Sequence, residues 1–371
     1  MITPYISEAQ ELEALARALT AAPWVALDTE FVRERTYYAR LCLLQVATPA
    51  FIACVDTLAL PNLDVLLAAL ARPSLLKVLH AARQDLEVLH DLRRKQGGAT
   101  VLAPVFDTQI AAALLGHPDQ IGYASLVEAV TGVRLAKLQT RTDWAARPLS
   151  AEQLHYAEDD VRYLCDVYQF FEKELLRTGR RDWLAEECTH LTATVLKGNS
   201  AQDAWQRIRA GQSLFPRAQV ILRALAAWRE REAQTRDLPR GWLIKDPVLV
   251  EIARRAPRDM QSLAGVDGLA ASSVRNFGRP LLDAVQRGLS EPPVALWAAA
   301  DRLDARQQDL YKILAAKVQE CAVSESINAT LIATRQDLLA LIRCGDSAVL
   351  HGWRRALIGE QLLQLCVPSK R

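Results

Sequence analysis

The sequence of 371 residues predicts an α/β domain built on a mixed sheet, followed by all-α domains. In the first half, strand-like apolar runs alternate with segments of helical periodicity, which is the pattern of an α/β domain. Two of these runs, residues 41–47 and 50–55, are separated only by Thr48 and Pro49, so they predict an antiparallel hairpin within the sheet. The last part of the chain, residues 295–371, is helical in pattern throughout.

The other elements of the first half have recognisable ends. Ser7 and Gln10 form a capping-box pattern that begins a helix reaching residue 19, and Pro23 ends it. A second capping box, Ser150 with Gln153, begins a long helix. The remaining predictions are strands over 24–31 and 75–81, and helices over 62–70, 84–92, 109–115, 123–130 and 150–176.

The central stretch of the chain is the predicted strand 24–31, an apolar run interrupted by two carboxylates. Side chains on a strand alternate between its faces, so Asp28 and Glu30 point the same way. Two like charges on an apolar strand repel each other and lose hydration, and a divalent cation is the usual way to offset that cost. The alternative is that the strand ends at Leu27 and the acids are solvated, which is commoner for such a pair alone.

Partners for these two carboxylates occur further along the chain. Asp85 stands at the start of the helix that follows the second predicted strand, a position that equally suits ordinary helix capping. That strand directs Asp85 toward the same sheet edge as the first two acids. Tyr156 and Asp160 are four residues apart on one face of the long helix, although such pairs usually lie at the surface.

Composition excludes several classes of protein. Seven cysteines are scattered with no C-x-x-C spacing, which argues against a disulfide framework and a zinc site and for a reducing compartment. No apolar run approaches the roughly 18 residues of a membrane span. The first residues lack the basic and apolar segments of a signal peptide. We therefore expect a cytoplasmic protein without a membrane partner.

Charge is distributed unevenly along the chain. Residues 1–203 carry a net charge of −6 and residues 291–371 carry +1. Residues 204–290 carry +7, and 14 of their 15 basic residues are Arg. This pattern suits a metal-using catalytic domain joined to a domain that binds a polyanion. Helices whose Arg side chains are simply solvated would explain the charges equally well.

Taken together, the motifs resemble those of the DEDD 3′–5′ exonucleases, in their tyrosine-containing DEDDy branch. Residues 25–31 resemble the first motif of that family, residues 79–86 the second, and Tyr156 with Asp160 the third, in the family's order and spacing over about 150 residues. The resemblance implies a ribonuclease H-like mixed-sheet domain. Its finer details are similar to the ribonuclease D group and lie in residues 105–109, 137–144 and 147–149.

The second half resembles an HRDC domain over residues 217–289. From the residues alone, Gly265 and Gly268 lie in a turn between two helices, where backbone N–H groups would approach a phosphate closely. A plain tight turn is the commoner explanation of such glycines. The organisation of the family implies a second HRDC-like repeat at the end of the chain. The domains expected are an exonuclease domain (1–200), an HRDC domain (205–291) and the second repeat (295–371).

The resemblance also implies a mechanism. Asp28, Glu30, Asp85 and Asp160 would hold two divalent ions, Mg²⁺ or Mn²⁺, and Tyr156 would orient and help deprotonate the attacking water. The expected reaction is 3′–5′ exoribonucleolytic release of nucleoside 5′-monophosphates from RNA with a free 3′ end. The expected substrates are tRNA precursors and other structured RNAs. No nucleotide cofactor is expected, and the family suggests a monomer.

Two alternatives stay open at the level of sequence. A DNA-directed 3′–5′ exonuclease would use the same catalytic cluster, and nothing in the four acids distinguishes RNA from DNA. A non-catalytic RNA-binding protein on the same fold would be indicated by loss of an acid or of the tyrosine, and all five are present. Further contacts to the nucleic acid backbone could come from a polar loop that contains Lys137, Arg141 and Trp144.

Overall fold

The computed structural model describes residues 4–95, 102–135, 142–297 and 303–366. The chain divides into two compact units. One, here called the α/β unit, consists of Met1–Val32, Leu41–Leu196 and Leu303–Arg371. The other, here called the helical unit, consists of Arg33–Arg40 and Lys197–Arg302.

The first part of the α/β unit alternates strands and helices. Its strands are β1 (Tyr5–Ile6), β2 (Trp24–Val32), β3 (Arg40–Thr48), β4 (Phe51–Asp56), β5 (Leu76–Leu79) and β6 (Val105–Asp107). Its helices are α1 (Ala9–Leu19), α2 (Asp64–Leu70), α3 (Arg83–Lys95), α4 (Thr108–Leu114), α5 (Tyr123–Thr131), α6 (Ala151–Thr178) and α7 (Arg181–Lys197).

The rest of the described chain is helical. The helical unit contains α8 (Pro216–Arg236), α9 (Arg240–Leu243), α10 (Asp246–Arg255), α11 (Met260–Ala264) and α12 (Ala271–Ser290), preceded by short 3₁₀ helices over Ala204–Arg207 and Arg209–Ser213. The C-terminal part of the α/β unit contains α13 (Ala305–Glu325), α14 (Ala329–Ile332), α15 (Arg335–Cys344), α16 (Gly352–Arg354) and α17 (Glu360–Cys366).

The strands form one mixed sheet in the order β1-β4-β3-β2-β5-β6. Strands β3 and β4 pair antiparallel, from Leu43 opposite Asp56 to Thr48 opposite Phe51, so the predicted hairpin is confirmed. Strand β2 pairs parallel with β5, and β5 pairs parallel with β6. The predicted fold class, a mixed-sheet α/β domain followed by helices, is therefore confirmed.

Most of the predicted elements are present; the differences are one helix cap, two short strands and the helix α7 (Arg181–Lys197), which was not predicted. The N-cap of α1 is Glu8, because the Glu11 carboxylate accepts hydrogen bonds from the Ser7 and Glu8 N–H groups (3.2 and 3.3 Å); the Ser7–Gln10 capping box was wrong by one residue. Strands β1 and β6 were not predicted. Each has only two or three residues and depends on parallel pairing with distant strands, which a local apolar pattern does not indicate.

The C-terminal helices pack onto α7 within the α/β unit. The ring of Trp353 stacks on that of Trp183, with centroids 4.6 Å apart and planes 12° apart. The Trp353 indole N–H donates to Glu187 Oε1 at 2.8 Å, and the Arg354 guanidinium pairs with the same carboxylate. Trp353 is 5% exposed, so this contact is a buried anchor for the end of the chain.

The helical unit has its own apolar core, formed mainly by one face each of α8, α10 and α12. Within it, Trp228 packs edge-to-face on Phe277 at 5.6 Å. None of the helices in the described parts of the chain combines the length and apolarity that crossing a membrane requires.

We expect Trp353→Ala to lower the free energy of unfolding by about 3–5 kcal/mol, because it removes a buried ring and leaves a cavity. Trp242→Ala is the matched control, since Trp242 is 62% exposed and its loss should change stability by less than about 0.5 kcal/mol. Urea unfolding followed by circular dichroism measures both. Equal effects of the two substitutions would show that the Trp183–Trp353 stack does not anchor the C-terminal helices.

Candidate active site

The two strand carboxylates lie on β2, at the edge of the sheet where β2 and β5 both end. Residues 25–27 are buried and hold β2 beside β5. Asp28 and Glu30 follow and are partly exposed, whereas Thr29 between them is buried. Because β2 and β5 are parallel, their carboxyl ends lie at the same edge, and α3 begins there. Open α/β sheets commonly place their ligands at this edge.

Helix α6 supplies a third carboxylate. Ser150 caps the helix by accepting a hydrogen bond from the Gln153 N–H at 3.2 Å, as the sequence predicts, and α6 packs across β2 and β4. This packing brings Asp160 to Asp28 and Glu30, and one ligand oxygen from each of the three lies within 4.8 Å of the others. All three side chains are partly exposed, so the cluster is accessible from solvent.

Burial and neighbouring negative charges raise the pKa values of the clustered carboxylates. Burial raises the pKa of Asp28 well above its usual range, and the charges of three neighbouring carboxylates add to the effect. Burial, with the charges of Asp160 and Asp85, raises the pKa of Glu30 to about 8. Burial and the charge of Asp159 raise the pKa of Asp160 to about 7. The cluster thus holds an excess of negative charge that a cation would offset.

Asp85 lies beside this cluster and is not one of its three closely spaced members. It occupies the first turn of α3 and is 8% exposed. The Thr29 hydroxyl donates to Asp85 Oδ1 at 2.5 Å, which fixes the carboxylate, and burial raises the pKa of Asp85 to about 6. Its charge contributes to the raised pKa of both Asp28 and Glu30, so four carboxylates act on one small volume.

Tyr156 lies one helical turn before Asp160 on α6, and its hydroxyl lowers the pKa of the Asp160 carboxylate in opposition to burial. Burial and the neighbouring negative charges raise the pKa of Tyr156 above its usual value, so the hydroxyl is protonated at neutral pH. Its ring packs beside Trp144 at 6.2 Å. Trp144 is 5% exposed, which leaves little surface for stacking on a nucleic acid. Lys137 and Arg141 lie outside the described residues.

The donor set fits a divalent cation. It consists of carboxylate oxygens alone, which are the ligands that Mg²⁺ and Mn²⁺ prefer, with no Cys or His among the three closely spaced members. The raised pKa values of Asp28 and Glu30 come from burial and like charges, the condition that a bound cation relieves.

Comparisons with known proteins agree with this geometry. A family model described as 3′–5′ exonuclease matches residues 4–176, and an HRDC domain model matches residues 218–285. Ribonuclease D of Gluconacetobacter diazotrophicus is 38% identical over 367 residues, covering 97% of this chain and 92% of that protein. Ribonuclease D of Sphingobium indicum is 38% identical over 382 residues, covering 98% and 94%. The crystal structure of Escherichia coli RNase D, an exoribonuclease involved in structured RNA processing, matches with a TM-score of 0.86 and 32% identity, covering 98% of each chain.

The chain belongs to the ribonuclease D family. It is a hydrolase of the 3′–5′ exoribonuclease class, and its relatives act on RNA. The prediction of a 3′–5′ exoribonuclease is therefore confirmed.

Two residues that support the site in this ribonuclease D relative were missed from the sequence. Thr29 fixes Asp85, although it points to the opposite face of β2 from its two acidic neighbours. The Tyr123 hydroxyl donates to the Asp159 carbonyl of α6 at 3.1 Å, directly beside Asp160. Nothing in the local sequence indicates this role for Tyr123, which stands at the start of a short helix. For Thr29, the position of a hydroxyl between two acids on a strand is a weak signal.

Asp107 and His80 hold the segments around the site. The Asp107 carboxylate caps α4 by accepting from Gln109 N–H at 2.8 Å and also accepts from Ala82 N–H at 2.8 Å. His80 Nδ1 lies 3.0 Å from Thr108 Oγ1, and Nε2 lies 3.0 Å from a backbone carbonyl. Since a carbonyl only accepts, Nε2 carries the proton, and burial lowers the pKa of this packed histidine.

Arg147 anchors the segment that leads into α6. Its Nε and Nη2 each donate to the Asp56 carboxylate at 2.7 Å, and Nη2 also donates to the Cys42 carbonyl at 2.8 Å. Burial raises the pKa of Asp56, but the hydrogen bonds from Arg147, Tyr5 and a backbone N–H outweigh it and lower that pKa to about 2. This bidentate pair ties the N-terminal approach of α6 to the end of β4.

The glycine turn of the HRDC-like region is closed by its own contacts. Gly268 adopts a φ of +78°, which favours glycine. The Arg255 guanidinium donates to the Gly265 carbonyl at 2.8 Å and pairs with Asp267 at 2.5 Å. The commoner explanation, a tight turn in a helical domain, accounts for both glycines.

Asp56→Asn gives a pH-dependent prediction. Because the folded pKa of Asp56 is about 2 and its usual value is 3.8, the carboxylate stabilises the fold fully above about pH 5 and loses that contribution as the pH falls toward 2. The stability difference between wild type and Asp56→Asn should therefore shrink across this interval. Urea unfolding at several pH values measures it. Glu13→Gln, at an exposed ion pair, is the control and should show little difference at any pH; a constant difference for Asp56→Asn would refute the linkage.

Proposed function

We propose that this chain is a divalent-metal-dependent 3′–5′ exoribonuclease whose site residues are Asp28, Glu30, Asp85, Tyr156 and Asp160. The observation that carries the proposal is the grouping of three carboxylates from β2 and α6 within 4.8 Å, with Tyr156 one helical turn before the α6 carboxylate. Exonucleases of this type depend on divalent metal ions, and the oxygen-only donor set supports that dependence here.

The division of labour follows from the position of each residue. Asp28, Glu30 and Asp160 would hold metal, and Asp85 would complete the site from the start of α3. Bound divalent ions, two by the family pattern, would supply electrostatic stabilisation to the phosphate under attack and to the departing 3′ oxygen.

Tyr156 acts as a protonated residue at neutral pH, because its pKa is raised. A protonated hydroxyl keeps oxygen lone pairs that can accept a hydrogen bond from water. In this arrangement Tyr156 orients the water, and Glu30, whose raised pKa a bound cation would lower, would accept the water proton as a carboxylate. The tyrosine thus positions the nucleophile and does not itself need to ionise.

The proposed product is a nucleoside 5′-monophosphate, released one at a time from a free 3′ end. The proposed substrates are structured RNAs, including tRNA precursors, on the basis that the Escherichia coli relative is described as an exoribonuclease involved in structured RNA processing. We further propose a domain division into residues 1–200 (exonuclease), 205–291 (HRDC) and 295–371 (a second HRDC-like repeat). The family-model matches at 4–176 and 218–285 support the first two.

Asp160→Asn should reduce RNA hydrolysis by on the order of 10³-fold, because it removes a charge that holds the metal. Asp166→Asn is the matched control, since Asp166 is an exposed acid on the same helix. The assay follows 5′-labelled single-stranded RNA and its DNA equivalent with Mg²⁺, with Mn²⁺ and with EDTA. We expect stepwise shortening from the 3′ end that EDTA abolishes. Cleavage that persists in EDTA, or equal activity of both variants, would contradict the metal assignment.

Tyr156→Phe should lower kcat by roughly 10²–10⁴-fold with a small change in KM, because it removes the hydroxyl that orients the water and keeps the ring that packs beside Trp144. Tyr163→Phe, about two helical turns further along α6, is the control and should have near wild-type kinetics. Metal binding by Tyr156→Phe, measured by calorimetry with Mn²⁺, should be retained. A large rise in KM with unchanged kcat would argue that Tyr156 binds substrate only.

A further inference from the structure

A cavity of about 410 Å³ in the helical unit is lined mostly by cations. It lies among the end of the first 3₁₀ helix, the middle of α8, and the adjoining ends of α9 and α10. Four of its six lining residues are basic, and none is aromatic or aliphatic. The lining residues are Arg207, Arg229, Arg240, Gly241, Lys245 and Asp246.

The carboxylates near this cavity do not balance its cations. Glu230 is 1% exposed and is shared by Arg240, at 2.5 Å, and Arg207, at 3.1 Å. Asp246 pairs with Arg229 at 2.7 Å. Four cationic side chains therefore face two carboxylates, which leaves a formal charge of +2 around the cavity.

Arg229 is the most constrained of these cations. It is 5% exposed, and it donates from Nη1 to the Ile244 carbonyl at 2.7 Å and from Nη2 to Asp246. Its buried Nε–H has no acceptor among the described residues. Arg229 is therefore held in one orientation at the wall of the cavity by its two bonded nitrogens.

The start of α10 adds to the positive potential. Lys245 is the N-cap of this ten-residue helix, and its side chain makes no capping hydrogen bond. The N-terminus of a helix carries a partial positive charge, which favours an anion. Arg240 is also held in place by its contact with the Tyr37 ring, 4.8 Å from the centroid, so its guanidinium is oriented in advance.

We propose that this cavity binds a backbone phosphate of the RNA substrate, at a site separate from the carboxylate cluster. Guanidinium groups recognise phosphate oxygens by paired hydrogen bonds, and the surplus of positive charge matches an anion. The absence of aromatic and aliphatic residues from the lining argues against recognition of a base by stacking. The binding is therefore independent of sequence. The assignment of the phosphate to RNA rests on the proposed function; the anion site itself does not.

Gly241 allows a test that leaves the existing hydrogen bonds intact. A Cβ atom added at Gly241 would meet no atom within 4 Å, and its φ lies outside the left-handed region. Gly241→Glu places a negative charge in the cavity, and Gly241→Gln adds the same bulk without the charge. Lys245→Gln and Lys245→Arg, at an exposed residue, form a second pair that removes or keeps one cation.

The experiment measures binding of the full-length protein to a fluorescein-labelled single-stranded RNA by anisotropy. EDTA is present throughout so that no cleavage occurs, and KCl is varied over about 50–200 mM. Gly241→Glu should weaken binding about tenfold and reduce the slope of log K against log salt by about 0.7, the loss of one phosphate contact. Gly241→Gln should bind close to wild type. Lys245→Gln should reduce the slope, and Lys245→Arg should restore it.

Three outcomes would overturn the proposal. One is an unchanged salt slope in both Gly241→Glu and Lys245→Gln. Another is equal weakening by Gly241→Glu and Gly241→Gln, which would show a steric effect alone. The third is that the protein binds inorganic phosphate or adenosine 5′-monophosphate more tightly than RNA and that Gly241→Glu weakens this binding. That result would assign the cavity to a free phosphate compound. Hydrolysis of a dinucleotide by the wild-type protein in Mg²⁺ tests the proposed function separately. A dinucleotide has a single phosphodiester, which cannot occupy the carboxylate cluster and the cavity at the same time.

Discussion

Mutual repulsion among carboxylates at the end of β2 is the constraint on which the rest of the α/β unit depends. Asp28, Glu30 and Asp160 bring negative charge within 4.8 Å in a recessed setting, where the low dielectric constant strengthens repulsion. Such an arrangement persists only if the backbone that carries it cannot relax. Strand β2 lies inside the six-stranded sheet, between β3 and β5, and α6 is a helix of 28 residues packed across it. Both elements are long and buried enough to hold the charges together.

The buried acids of this unit fall into two kinds according to their partners. Asp107 receives backbone N–H groups from two segments, and Asp56 receives a bidentate arginine. Those carboxylates are satisfied within the protein and serve the fold. The members of the cluster instead face one another, and the pKa of Asp28 is raised by burial and by three other acids. A buried carboxylate that faces other carboxylates, and not hydrogen-bond donors or cations, indicates a functional role. Selection for stability alone would favour its replacement.

The sequence predicts the fold and the principal site residues to different degrees. Period-two alternation placed Asp28 and Glu30 on one face of a strand, and a capping box placed the start of α6, because both signals are local. No local signal shows that Asp160 lies near that strand. The prediction of this proximity depended on the family resemblance. Thr29 shows the limit, since alternation directs it away from the acids, whereas the fold brings Asp85 to that side. Strand β6 was missed because its pairing with β5 is the only reason it is a strand.

Net charge likewise predicts less than the placement of each cation. The +7 of residues 204–290 suggests a uniformly basic surface, yet Arg229 is 5% exposed and Arg240 is bound to a buried glutamate. Several of these arginines therefore hold the helical unit together and do not contribute to a diffuse field. A ligand would instead meet a local excess of positive charge around one cavity, where four cations face two carboxylates. A polyanion would be recognised there through defined hydrogen bonds, and the total charge of the unit would mainly affect the rate of encounter.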